Sequence, residues 1–425
     1  MRDDKISAGL PGSRWQVNRL LRLQGIDPER LSIFFLGERL PRVRWLRQLV
    51  LGAALWLATQ FAGEPLLPVM AAAGLHLLAG FLILHGACQA LIKSSVWMAA
   101  RWRLSHYMAG TLVEITGTVP ELVLIGFLAV HTPMMALITT LVTVYNNALL
   151  FSLYSFFLPK NHQNKYVMPV PITEAGTQVL IAGSVMAVSC GFALLIFSTT
   201  GHPKQSFHAL DLTILAVGLL TIFVVYMIKL LRESKAEEAE VHQTLQLDEE
   251  QVEDRKALVY RDVEAPGLAA IIAVFLLALG SAFAGGYLVA GIAEVALHQL
   301  HMNLLLTSIL LAFFAGMSEV VLLLSAHRQR EYGIALANAF GGIIQVLLLV
   351  LPVTLLAVAL RIWWLDGALA LPIERMLVFL VVFLFPLFYL LAALLEEDHT
   401  FDLLDASIMT VMILFMLILL ATYGY

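Results

Sequence analysis

Charge is scarce in this chain. Asp, Glu, Lys and Arg make up only 13% of its 425 residues, about half the share of a soluble domain. Cysteine is scarcer still: Cys88 and Cys190 are the only two, and both lie inside apolar runs. That excludes a disulfide framework and a cysteine-based metal cluster. The apolar runs hold neither an HExxH motif nor paired aspartates, so an intramembrane hydrolase would lack its machinery. The chain is not expected to be an enzyme, and no cofactor is implied. The first 45 residues carry too much charge for a signal peptide.

Apolar residues fill the remainder, at 60% of the chain, and the mean hydropathy is +0.84. A spanning helix needs about 20 such residues in a row. Eleven candidates are present, near 46–63, 67–91, 107–130, 134–158, 177–198, 210–231, 267–296, 302–326, 333–360, 374–395 and 404–423. The expected class is an all-α polytopic membrane protein with the lipid bilayer as its surroundings. With the N-terminus placed inside, 23 of the 26 Lys and Arg residues fall on the inner side. The exceptions are Lys204, Arg361 and Arg375. By the positive-inside rule the N-terminus is expected in the cytoplasm.

The same count divides the chain. Residues 1–45 form a basic membrane-adjacent segment, for which nucleic acid is not an expected partner. Residues 46–63 are a first helix, 64–231 five further spans, 232–264 an acidic linker, and 265–425 five more. The linker reads as a solvated amphipathic segment, with cation collection or regulation as its alternative.

Two acids interrupt the apolar runs. Glu319 shares a helical face with Ala312, Ala315 and Gly316, and a second helix follows with Asn338, Gly341, Gly342 and Gln345. In the first half Glu121 follows Gly117 and Thr118, and the next helix carries Thr140, Thr143, Asn146 and Asn147. Glu121 to Asn147 and Glu319 to Gln345 are both 26 residues. The two acid-bearing spans run in opposite directions, so the halves read as inverted five-helix repeats meeting near the bilayer midplane. Pro120 and the Gly341-Gly342 pair are expected to break their helices. An ionisable residue at membrane depth marks an ion or proton pathway. Glu114, two turns before Glu121, is expected near the cytoplasmic interface, with a proton relay as the alternative. His76 and His85 read as polar contacts within the bundle.

These residues resemble the cation/calcium exchanger superfamily, whose halves each carry such a repeat. Gly117-Thr118-Val119-Pro120-Glu121 is similar to its first signature. Glu319, Gly341-Gly342, Gln345 and Pro352 resemble the second signature of the calcium/proton exchanger branch. Thr118 and Gly316 stand where that family usually has Asn.

The resemblance implies an antiporter, in which Ca²⁺ is favoured as the cation exchanged for protons. It also implies a multi-pass protein of a bacterial inner membrane. A hard cation takes several oxygen ligands, which Glu121, Glu319, Asn147, Gln345 and Thr118 would supply. Asn146, Thr143, Asn338, Gly316, Gly341, Gly342 and Glu114 are secondary candidates. Na⁺ or K⁺ in place of Ca²⁺ is the runner-up, sodium-driven calcium exchange ranks lower, and a non-transporting scaffold or sensor is the alternative of another class. The oligomeric state is left open.

Overall fold

A computed structural model describes residues 44–62, 69–102, 106–158, 165–167, 170–199, 206–244, 265–328, 332–365, 371–396 and 400–423. The basic segment at 1–45 lies outside these residues except for 44–45, and so does the linker at 232–264 except for 232–244. Within them each of the eleven expected spans is helical. Nine helices are long and apolar enough to cross a membrane, and ten if one bent pair counts as a span. The helix Arg44–Ala62 is not among the nine; it keeps Arg44, Arg47, Gln48 and Gln60 along its 19 residues. The protein is an all-α, polytopic, integral membrane protein.

The helices are α1 (Arg44–Ala62), α2 (Val69–Arg101), α3 (His106–Gly117), α4 (Val119–His131), α5 (Pro133–Ser155), α6 (Val170–Thr199) and α7 (Ala209–Thr244). There follow α8 (Leu268–Glu294), α9 (Leu304–Ala315), α10 (Met317–Arg328), α11 (Tyr332–Gln345), α12 (Leu351–Trp364), α13 (Arg375–Glu396) and α14 (Leu403–Tyr423). The helix of the sixth span thus runs on to Thr244, into the stretch assigned to the linker.

Contacts pair equivalent members of the two halves. The long helices α2 and α8 pack together, as do α6 and α13, and α5 meets α11. The cross pairs also match: α7 packs on α12, and α14 on α5. Each half therefore completes the other, as two-fold related repeats do. Four two-residue strands join the connections. β1 (Tyr166–Val167) pairs antiparallel with β4 (Thr400–Phe401), and β2 (Ser206–Phe207) with β3 (Leu371–Pro372).

With lipid outside, packing rather than water exclusion holds such helices together, so small residues gather at close crossings. At the α2–α8 crossing a Cβ on Gly285 would lie 2.9 Å from the backbone nitrogen of Leu84 and 3.1 Å from the carbonyl oxygen of Gly80. Gly285→Ala is expected to cost about 1–3 kcal/mol, read as a lower thermal midpoint in detergent. Gly280→Ala on the same helix should leave that midpoint unchanged, since nothing lies within 4 Å of its Cβ position. In the core of the bundle Tyr145 donates to the carbonyl of Leu380 at 2.6 Å, and Phe151 packs against Phe340 and Phe401. Large side chains such as Ile214, Val217, Val224 and Val225 on α7 point outward, as a lipid-facing surface requires.

Candidate functional site

Both acid-bearing spans are interrupted immediately before the acid. α3 ends at Gly117 and α4 starts at Val119, with Thr118 between them at φ −79°, ψ −10°. Pro120 has no N–H to offer the carbonyl four residues back, so the Thr116 carbonyl loses its helical partner. α9 ends at Ala315 and α10 starts at Met317, bent by 45° about Gly316. Glu121 and Glu319 thus stand in the first turns of α4 and α10. A helix N-terminus carries unpaired N–H groups and partial positive charge, which favour a carboxylate there.

The second-half break lies at Gly316, not at Gly341-Gly342. The glycine pair sits inside continuous α11 and serves to make room. A Cβ on Gly342 would lie 3.0 Å from Glu319 Cδ, 3.1 Å from Glu319 Oε2 and 3.2 Å from Asn147 Nδ2. A Cβ on Gly341 would strike Glu114 Oε1. The helix is disturbed one turn later, where Val346–Val350 is π-helical. Pro352 cannot donate to the carbonyl of Leu348 there, and such wide turns mark functional helices.

Glu121 and Glu319 are 0% and 1% exposed. Glu319 acts electrostatically on Glu121. Their surroundings differ. Asn338 Nδ2 donates to Glu319 Oε2 at 2.8 Å, whereas both oxygens of Glu121 are buried without a partner. The residue 26 positions on from each acid also comes inward: Asn147 is 2% and Gln345 4% exposed. Asn147 Nδ2 and Gln345 Oε1 have no partner. From α5, in the first half, Asn147 reaches both Gly342 and the break at Gly316, where a Cβ would lie 3.1 Å from Asn147 Oδ1.

The remaining candidates take lesser places. Thr118 is fully buried and its hydroxyl donates to the Ile115 carbonyl at 2.7 Å. The Thr143 hydroxyl donates to Thr139, while its methyl lies 3.8 Å from the Gly316 Cβ position. Asn146, one residue before Asn147 and so turned about 100° around α5, is only partly buried. Glu114 is partly buried and packs its carboxylate on Gly341, one residue from the glycine that Glu319 touches. His76 bonds Thr59 and Gln60, and His85 bonds Gln89.

Two further residues belong to the orphaned polar set. The Ser318 and Thr139 hydroxyls are buried without partners, and Ser318 precedes Glu319 directly. The breaks also face each other, since Ser318 Cβ is 4.0 Å from the Gly117 Cβ position. Glu319 and Asn147 thus meet at Gly342, with Glu114 on the adjoining Gly341 and Ser318 facing Gly117 where the halves touch. Carboxylate, amide and hydroxyl oxygens such as these are the ligands a hard cation takes.

The sodium/calcium exchanger protein family model matches residues 268–424, the half that carries Glu319, Gly342 and Gln345. Among solved structures, the H⁺/Ca²⁺ exchanger CAX superposes with a TM-score of 0.63 at 12% identity, covering 89% of each chain. The fold is that of a cation/calcium exchanger. Native YfkE superposes on the exchanger fold with a TM-score of 0.56 at 14% identity, over 87% of this chain and 98% of YfkE. The sodium-calcium exchanger NCX_Mj gives 0.51 at 17% identity, over 84% of this chain and 99% of its own. No curated protein matches the sequence significantly. The resemblance carried by the two short signatures is therefore also a likeness of fold, spanning both halves of the exchanger architecture.

Proposed function

We propose that the protein is a cation antiporter exchanging Ca²⁺ for protons by alternating access, with Glu121 and Glu319 as the shared binding groups. The observation that carries this reading is the Glu121 carboxylate, fully buried with both oxygens unpartnered, near a second buried carboxylate. Charges removed from water and left uncompensated are strongly unfavourable. One divalent cation or two protons would neutralise the pair. Cation and protons therefore compete, and a site that reorients only when neutralised exchanges one for the other.

The oxygen donors fit Ca²⁺: the Glu121 carboxylate, the Gln345 amide oxygen and the Ser318 and Thr139 hydroxyls are unpartnered, and Glu319 and Asn147 lie beside Gly342. Na⁺ or K⁺ is the second reading, favoured by Thr118 and Gly316 where the family usually has Asn. Purified protein in proteoliposomes, with a pH-sensitive dye inside, separates the two. Ca²⁺ is expected to trigger proton release under an imposed gradient, and Na⁺ or K⁺ not to. A response to a monovalent cation alone would replace Ca²⁺ by that ion. No response to any of the three would defeat the antiport reading.

A further inference from the structure

Two carboxylates pack on the adjoining glycines of α11. Glu319 packs on Gly342, while Glu114 packs on the adjoining Gly341, whose Cβ position is 3.3 Å from Glu114 Cδ. Glu319 acts electrostatically on Glu114 as it does on Glu121. Yet among the described residues no three acidic, His or Cys side chains lie close enough to hold one metal ion together. Glu114 is thus no third ligand of an ion held by Glu121 and Glu319 together.

Its position along the pathway is one-sided. Glu114 precedes Glu121 by seven residues, about 10 Å of helix, across the break at Thr118. It lies toward the end of the bundle at which α3 begins. Glu121 and Glu319 are sealed, whereas Glu114 is only partly buried. The unpartnered Asn147 Nδ2 lies 3.2 Å from the Gly342 Cβ position, on the same glycine as Glu319. A half-turn of that amide offers its oxygen instead.

We infer that Glu114 is an entry carboxylate for a hard divalent cation, serving one face of the membrane only and passing the ion to Glu319 across the Gly341-Gly342 step. This rests on the antiport reading and adds sidedness to it. A negative group at the mouth of a low-dielectric cleft raises the local concentration of its cation, by about ten-fold or more.

The test uses Ca²⁺ as probe, with right-side-out and inverted membrane vesicles carrying the full chain. Glu114→Gln is expected to raise the half-saturating Ca²⁺ concentration for proton flux about ten-fold from one face and to leave the other face unchanged. Glu114→Asp should restore most of the loss. Equal shifts from both faces, or none from either, would overturn the inference. If Glu114→Gln fails to insert, Gly341→Ala moves the same carboxylate and keeps its charge; it must show the same one-sided shift. Wild-type protein without Ca²⁺-dependent flux in either orientation would defeat the antiport reading itself. Wild-type flux with symmetric behaviour of the Glu114 variants would defeat only this inference.

Discussion

Glu121→Gln is expected to stop cation-dependent proton flux while leaving the protein folded and slightly more stable. Glutamine keeps the shape of the side chain and removes its charge. Losing one charge of a buried, closely coupled set costs about 2–5 kcal/mol of binding, a loss of roughly 30-fold to several thousand-fold in cation affinity. The gain in stability has its own cause. Both Glu121 oxygens are buried without a partner, so the neutral side chain removes a desolvated charge and breaks no hydrogen bond. A structural acid would behave in the opposite way, its replacement lowering the thermal midpoint and sparing transport. Flux assays and thermal unfolding on the same preparation separate the two. Full transport by Glu121→Gln would exclude this residue from the site. Glu319→Gln should be equally inactive, but without the gain, because it disturbs the charge-assisted bond from Asn338.

The second large effect is expected at a residue with no side chain. Gly342→Ala adds one methyl 3.0 Å from Glu319 Cδ, 3.1 Å from its Oε2 and 3.2 Å from Asn147 Nδ2. Glu319 is tied to Asn338, and Asn147 is wedged between Gly342 and Gly316, so neither can retreat without leaving the site. Cation affinity measured by calorimetry should fall at least about ten-fold, since displacements near 1 Å in a preorganised site have effects of that order. The overall helix content should not change, as alanine suits a helix better than glycine does. Calcium binding equal to that of wild type would show that this methyl is accommodated and that Gly342 does not shape the site.

The parts of this molecule legible in sequence are those where physics leaves few choices. Helices long enough to span, and acids within them, are conspicuous because lipid tolerates neither exposed backbone nor stray charge. The paired 26-residue spacing brought out Asn147 and Gln345, which are both buried with an unpartnered atom. Other features were hidden for definite reasons. Glycine is both a helix breaker and a spacer, and only its neighbours decide which. Gly316 breaks, whereas Gly341 and Gly342 admit carboxylates within an intact helix. Ser318 and Thr139 were passed over because helical hydroxyls usually bond the preceding turn, as Thr118 and Thr143 do here. The grip of Asn338 on Glu319 depends on how α10 folds back against α11, which spacing along the chain does not report. The contact of Glu114 with Gly341 does not follow from its distance to Glu121 along one helix, because α11 arrives from the other half.

The short strand pairs have a mechanical meaning. β1 and β2 flank α6, and β3 and β4 flank α13; β1 pairs with β4 and β2 with β3. Helices α6 and α13 are therefore fastened to each other at both ends as well as along their lengths. Two rods clamped at both ends turn as one body and cannot splay. The α1–α2–α8 group has no such clasp among the described residues. Its close glycine crossings lie within the group, between α1 and α2 and between α2 and α8, and Gly286 alone of these glycines meets another helix, at Val123 and Leu124. In the alternating access proposed above, the first group would be the stator and the second the rotor.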